Sequence, residues 1–91
     1  MVIDKVGVKD MLEELSFVKG SSYRIKVVKS LLEYPKTPTQ IADEVGIHRN
    51  NISNTLKELK QQNIVECINP EVRKGKLYRL TDIGEKLFNK I

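Results

Sequence analysis

Histidine and cysteine occur once each in these 91 residues, as His48 and Cys67. That leaves no cysteine metal cluster, no intramolecular disulfide and no zinc site with its usual number of ligands. A nucleophile–base pair would have to join Cys67 or a serine to His48, and neither comes with an orienting third group or a nucleophile motif. The phosphate-cradling patterns GxGxxG and GxxxxGK[ST] are absent from the sequence. Binding residues are concentrated instead. Asn50, Asn51 and Asn54 crowd a short stretch with Arg49, Ser53 and Lys57, and Arg73, Lys74 and Lys76 surround Gly75 with Glu71 the only nearby acid. Asparagine is a poor helix former, and a neutral surface helix more often carries Glu, Lys, Gln and Ala. The chain reads as a binding protein, not an enzyme, with no cofactor and no metal.

The charge distribution says what it would bind. The net charge is +4, yet residues 1–46 carry seven basic and seven acidic side chains while residues 47–91 carry nine and five. Segregation of that kind suggests a surface facing a polyanion. A hydrophobic fraction of 40% and a charged fraction of 31% are those of an ordinary soluble protein. The length suits a single domain, 1–91, with one hydrophobic core. No apolar stretch approaches the ~18 residues of a membrane span, and Asp4, Lys5, Lys9 and Asp10 interrupt the region a signal peptide would keep apolar. A cytoplasmic protein with no membrane partner is expected.

The elements that must position these residues follow from periodicity and caps. Val8, Met11, Leu12 and Leu15 recur at helical spacing and predict a short helix over about residues 8–17, within an N-terminal extension of residues 1–20. Ser21 and Ser22 can cap a second helix running to about Glu33, with Ile25, Val28, Leu31 and Leu32 on its buried side and Tyr34-Pro35 ending it. Thr37 suits the N-cap of a third helix and Pro38 its first position; Ile41, Ala42 and Val45 form its apolar stripe, and Gly46 sits where a left-handed residue stops it. A fourth helix, 49–62, follows almost at once, with Ile52, Thr55, Leu56 and Leu59 on one face and Asn63 at its stop. Two helices joined by a tight glycine-containing turn are a helix-turn-helix signature, here 37–62. The period then changes to two. Residues 64–68 and 76–80 read as strands of a hairpin over 64–80, with a basic loop at 69–76, and Thr81-Asp82 caps a last helix over 82–91.

Residues 37–65, TPTQIADEVGIHRNNISNTLKELKQQNIV, are similar to the helix-turn-helix of the MarR and ArsR groups of prokaryotic regulators. Asn63 stands where those families usually have glycine, and His48 where they have a serine cap. Residues 77–84, LYRLTDIG, resemble the Y-x-L-T-x-x-G that closes the wing in the same families. The resemblance covers about residues 21–91, and the whole chain looks most like small archaeal winged-helix regulators. It implies a mainly α winged helix-turn-helix fold with a small β-hairpin, an extra short N-terminal helix and a C-terminal helix. It also implies a sequence-specific transcriptional regulator that binds double-stranded DNA.

On that reading helix 49–62 enters the major groove, where each base pair shows a distinct donor and acceptor pattern. With Ile52 facing the core, steps of ~100° per residue put Asn50, Asn54, Lys57 and Gln61 roughly opposite it, with Arg49 and Ser53 on the flank. The expected base contacts are Asn50, Asn54 and Lys57, joined by Arg49 and Ser53. Asparagine can bond adenine N6 and N7 together. The resemblance sends the hairpin tip, with Arg73, Lys74 and Lys76, to the DNA backbone or minor groove. Thr37, Thr39 and Gln40, at the start of a helix, are expected to add backbone contacts, and the start of the second helix, Ser21 to Arg24, could do likewise. His48 is expected as a cap or surface residue and Cys67 as a small buried hydrophobe.

A single module makes a small DNA interface, so a homodimer on paired half-sites is expected. Val8, Met11, Leu12 and Leu15 of the leading helix and Leu87 and Phe88 of the last helix are the expected dimer contacts. A small-molecule effector is not expected in so small a domain. Two competing readings remain: a winged-helix protein-interaction module of a larger transcription assembly, and an RNA-binding winged helix. RNA readers usually display aromatic stacking platforms, and the few tyrosines and phenylalanines here fall mostly at core-like positions.

Overall fold

A computed structural model describes residues 2–89, with side chains from Met11 onward. Helix α1 spans Val2–Lys19, α2 Ser22–Ser30, α3 Pro38–Val45 and α4 Arg49–Gln61; strands β1 (Val65–Cys67) and β2 (Tyr78–Leu80) follow, then helix α5 (Asp82–Phe88). The caps read from the sequence are in place. Ser21 Oγ accepts from Arg24 N–H, Thr37 Oγ1 from Gln40 N–H and Thr81 Oγ1 from Gly84 N–H. Gly46 is left-handed, with φ 72°. Asn63 takes the same region at φ 59°, and Asn63 N–H and Ile64 N–H bond the carbonyls of Lys60 and Leu59.

Apolar faces of all seven elements meet in one core. Val18, Val27, Val28, Ile41, Ile52, Leu59, Ile64 and Leu87 are fully buried, with Leu31, Leu56, Val65 and Leu80 beside them. Helix α2 lies at the centre, in contact with α1, α3, α4 and α5. The strands pair antiparallel, Val65 opposite Leu80 and Cys67 opposite Tyr78. Lys36 adds a one-residue third strand: its N–H donates to the Tyr78 carbonyl and its carbonyl accepts from Tyr78 N–H, at 3.0 and 2.9 Å.

Several boundaries differ from the sequence reading, each for a local reason. Helix α1 begins at Val2 instead of about Val8, because backbone hydrogen bonds can propagate beyond the apolar stripe that marked the start. Helix α2 ends at Ser30, three residues before the expected Glu33. The Ser30 carbonyl accepts from the Lys36 ammonium at 2.5 Å and so is drawn away from continuing the helix. Leu32, expected on the buried side, is therefore exposed. The strands are shorter than 64–68 and 76–80 because Leu77 N–H bonds the Asn69 side chain at 2.7 Å, so the regular ladder gives way to a side-chain staple. Helix α4 ends at Gln61, and α5 is described to Phe88; Ile91, expected in the last helix, lies outside the described residues.

Candidate nucleic-acid interface

The interface is built on α3, α4 and the hairpin. Thr37 and Gln40 form a reciprocal capping box, Gln40 Oε1 accepting from Thr37 N–H at 2.8 Å. At the start of α4 the unusual cap is His48, whose Nδ1 accepts from Asn50 N–H at 3.2 Å. That bond requires an imidazole with an unprotonated Nδ1. Helix α4 then buries Ile52, Leu56 and Leu59, with Thr55 donating from Oγ1 to the Asn51 carbonyl at 2.7 Å. Its opposite face is open: Arg49, Asn50, Ser53, Asn54, Lys57 and Gln61 are all exposed.

The hairpin loop is held from inside by Asn69. Its Oδ1 accepts from Leu77 N–H, its Nδ2 donates to the Gly75 carbonyl at 3.2 Å, and Gly75 turns the chain at φ 76°. Arg73, Lys74 and Lys76 therefore stand on a closed loop. They line an open groove of about 540 Å³ together with Thr37, Pro38 and Thr39 at the start of α3, Arg49 and Ser53 of α4, and Gly75 and Tyr78 of the hairpin. Four cations and no carboxylate line it. A second concavity of about 540 Å³, lined by Thr39, His48, Arg49 and Asn50, flanks the turn and includes Asp43. Burial, with a smaller contribution from Cys67, pushes the Tyr78 hydroxyl above the ordinary phenol value, which favours its neutral form in the groove wall.

Most residues singled out in the sequence come together here. Arg49, Ser53, Thr37, Thr39, Arg73, Lys74 and Lys76 share the groove, and Asn50, Asn54 and Lys57 lie on the exposed face of α4. Gln40 is exposed, but its side-chain oxygen is occupied by the cap. Arg24 is engaged internally, bonded to the Phe17 carbonyl at 2.8 Å and to Glu58 at 3.3 Å, with its guanidinium 3.8 Å from the Phe17 ring centroid. Cys67, expected as a small buried hydrophobe, is half-buried, and its thiol contacts Asn69 Oδ1 at 3.6 Å.

Of the expected dimer contacts, Leu12 is 55% exposed, while Met11, Leu15 and Phe88 pack partly against the core. Leu87 needs correction. It is fully buried within the monomer because α5 turns that position onto the core, and it has no surface to offer a partner. The Val8 side chain lies outside those described.

Sequence reasoning missed Lys36. It is 1% exposed, with its ammonium 2.6 Å from Glu44 Oε2. Nothing local marks it, since a lysine between proline and threonine reads as an ordinary loop cation. Among the described residues no group of three or more His, Cys, Asp or Glu could hold a metal, and no helix is long and apolar enough to cross a membrane.

Residues 21–66, which run from the cap of α2 through the helix-turn-helix into β1, match the model of the bacterial regulatory proteins of the arsR family. The chain belongs to the arsR family. This ArsR-family protein is thereby a transcriptional regulator built on a DNA-binding helix-turn-helix. Known structures agree on its fold. The transcriptional repressor BigR from Xylella fastidiosa matches with a TM-score of 0.78 at 23% identity, over 99% of this chain and 91% of its own. The homodimeric winged helix-turn-helix DNA-binding domain of a possible ArsR-family regulator from Mycobacterium bovis matches at 0.73 and 20% identity, over 94% and 79%. The repressor CouR, solved bound to a 23-mer DNA duplex, matches at 0.69 and 22% identity, over 98% of this chain and 66% of its own. None of the three carries the archaeal likeness suggested by the sequence. Among curated proteins none matches the sequence.

Proposed function

We propose that this ArsR-family chain is a sequence-specific regulator that lays α4 along the major groove of double-stranded DNA and holds the flanking backbone in the groove beside its wing. The observation that carries this reading is the groove itself: cations from α4 and the hairpin line it together with no carboxylate among them, next to an exposed amide face. Asn50, Asn54 and Lys57 read bases. Arg49 and Ser53, expected from the sequence to join them, line the same groove as Arg73, Lys74 and Lys76 and are grouped with them as backbone holders. Thr37 and Thr39 add contacts from the start of α3, where free N–H groups favour a phosphate.

The working form is a homodimer that pairs two half-sites through the outer face of α1 around Leu12, with Phe88 of α5 alongside. Helices α1 and α5 touch each other, so one continuous surface can serve a two-fold contact. The protein carries out no catalysis, takes no cofactor and works in the cytoplasm. No enclosed effector pocket enters the mechanism.

Fluorescence anisotropy with a randomised short duplex and a matched RNA hairpin tests the proposal, at about 50 and about 200 mM salt. Preferential binding of the duplex, weakened at least about tenfold across that range, is the expected outcome. Absence of binding at low salt would remove the regulator reading, and preference for the hairpin would replace DNA by RNA.

A further inference from the structure

The side chain that the DNA-binding reading leaves unused is the most deeply buried charge among the described residues. Lys36 is 1% exposed, and its ammonium gathers the Ser30 carbonyl at 2.5 Å, Ser30 Oγ at 3.4 Å and Glu44 Oε2 at 2.6 Å. Glu33 lies 3.8 Å away, and the Tyr34 ring centroid 4.7 Å. Its backbone pairs both ways with Tyr78 of β2. One residue therefore joins the end of α2, the C-terminal half of α3 and the inner strand of the wing.

Stability alone is a poor reason for such an arrangement. Burying an ammonium is costly even when it is paired, and well-packed apolar residues often replace buried ion pairs with no loss of stability. What an apolar side chain cannot do is fix distance and direction to a carbonyl and a carboxylate at once. The position matters because both backbone neighbours of Lys36 line the groove. Thr37, the next residue, caps α3 and lines it, and so does Tyr78, its cross-strand partner two residues beyond Lys76.

We propose that Lys36 is a positioning residue that sets the spacing between the wing and the helix pair, and hence the width of the groove that receives the nucleic-acid backbone. The inference rests on the DNA-binding reading above but has a signature without DNA. In Lys36→Met the chain length is kept and the polar anchor is lost. The wing should then move more freely relative to α3 and α4 while the helical core stays packed.

The test uses the full chain. Amide hydrogen exchange by NMR should speed up at least about tenfold at position 36 and at Tyr78 in Lys36→Met, the two amides that pair this segment with β2, with Val28, Leu56 and Leu59 unchanged; protection that is lost everywhere or nowhere overturns the proposal. Glu44→Gln, which leaves the lysine in place and weakens one anchor, should shift the same amides in the same direction, and serves if Lys36→Met does not fold. On the duplex, Lys36→Met should weaken binding about as much as Arg73→Ala/Lys74→Ala, and the triple variant should lose no more than the larger of the two. Losses that multiply would mean that Lys36 does not act through the wing. Failure of the unaltered protein to bind any duplex would instead remove the DNA-binding reading, with the exchange result still deciding whether Lys36 positions the wing.

Discussion

Asn50 and Asn54 project from successive turns of α4 with nothing in the fold covering them. Each amide carries a donor and an acceptor that can be matched together by one base edge. Asn50→Ala and Asn54→Ala should each remove about 1–3 kcal/mol of discrimination at one base step, while binding to random duplex changes little. Competition between the selected site and its single-base variants measures this directly. The wing should behave in the opposite way. Arg73→Ala/Lys74→Ala should weaken all sequences alike and reduce the slope of log affinity against log salt by about 2, on the basis of ~0.9 per phosphate contact. Equal loss on every sequence from the asparagine variants would move them to the backbone set. The exposed face itself was legible because residue type and helical spacing sufficed to find it. That Arg49 lines the groove beside the wing while Asn50, adjacent in sequence, does not was not legible, because it depends on where the wing folds.

At the scale of elements, the starts of α2 to α5 are each set by a hydroxyl or imidazole cap, and long-range polar ties join helices that are distant in sequence. Helix α3 is tied to the end of α2 through Glu44 and Lys36. The hydrogen bond from Lys36, aided by its charge, outweighs partial burial and holds the Glu44 carboxyl below the usual glutamate value. The folded form therefore binds this proton less readily than the unfolded chain does. Ionised Glu44 contributes its stability above the ordinary glutamate range, ~4.3, and that contribution is lost as pH falls through the lower folded value. Urea midpoints should show the protein more stable than Glu44→Gln at neutral pH, with the difference shrinking below about pH 4. A difference that stays constant through acid would exclude Glu44 as the group responsible.

The whole molecule depends on how α5 closes the fold over the hairpin. Thr81 N–H donates to the Ile64 carbonyl at 3.0 Å and Thr81 Oγ1 to the Asn63 carbonyl at 2.7 Å, so the turn after β2 clasps the end of α4. Gly84 follows because there is no room: a Cβ there would clash with the Ile64 carbonyl oxygen. Gly84→Ala should destabilise the protein by about 1–3 kcal/mol, through overpacking against backbone. For a domain of this size that corresponds to roughly 4–8 °C in Tm per kcal/mol, read by thermal denaturation. An unchanged Tm would show that α5 can shift freely from Ile64. Leu12 bears on assembly. Leu12→Asp should convert the dimer to monomer in sedimentation equilibrium with little change in fold, since that side chain is 55% exposed in the monomer. A dimer that persists would place the two-fold contact elsewhere.

The sequence by itself determined the order of elements, the helix-turn-helix and the closing turn of the wing, because these depend on chemistry within a few residues. A threonine three residues before the N–H that it accepts from, a glycine or asparagine in the left-handed region, and an apolar stripe of the right period act before any tertiary contact forms. The tertiary structure alone decided which residues those elements share. It brought Arg49 and Arg73 into one groove, turned Leu87 inward, left Leu32 outside and buried Lys36 against Glu44. Each of these outcomes depends on how separate elements pack, and no spacing within a single element records that relation.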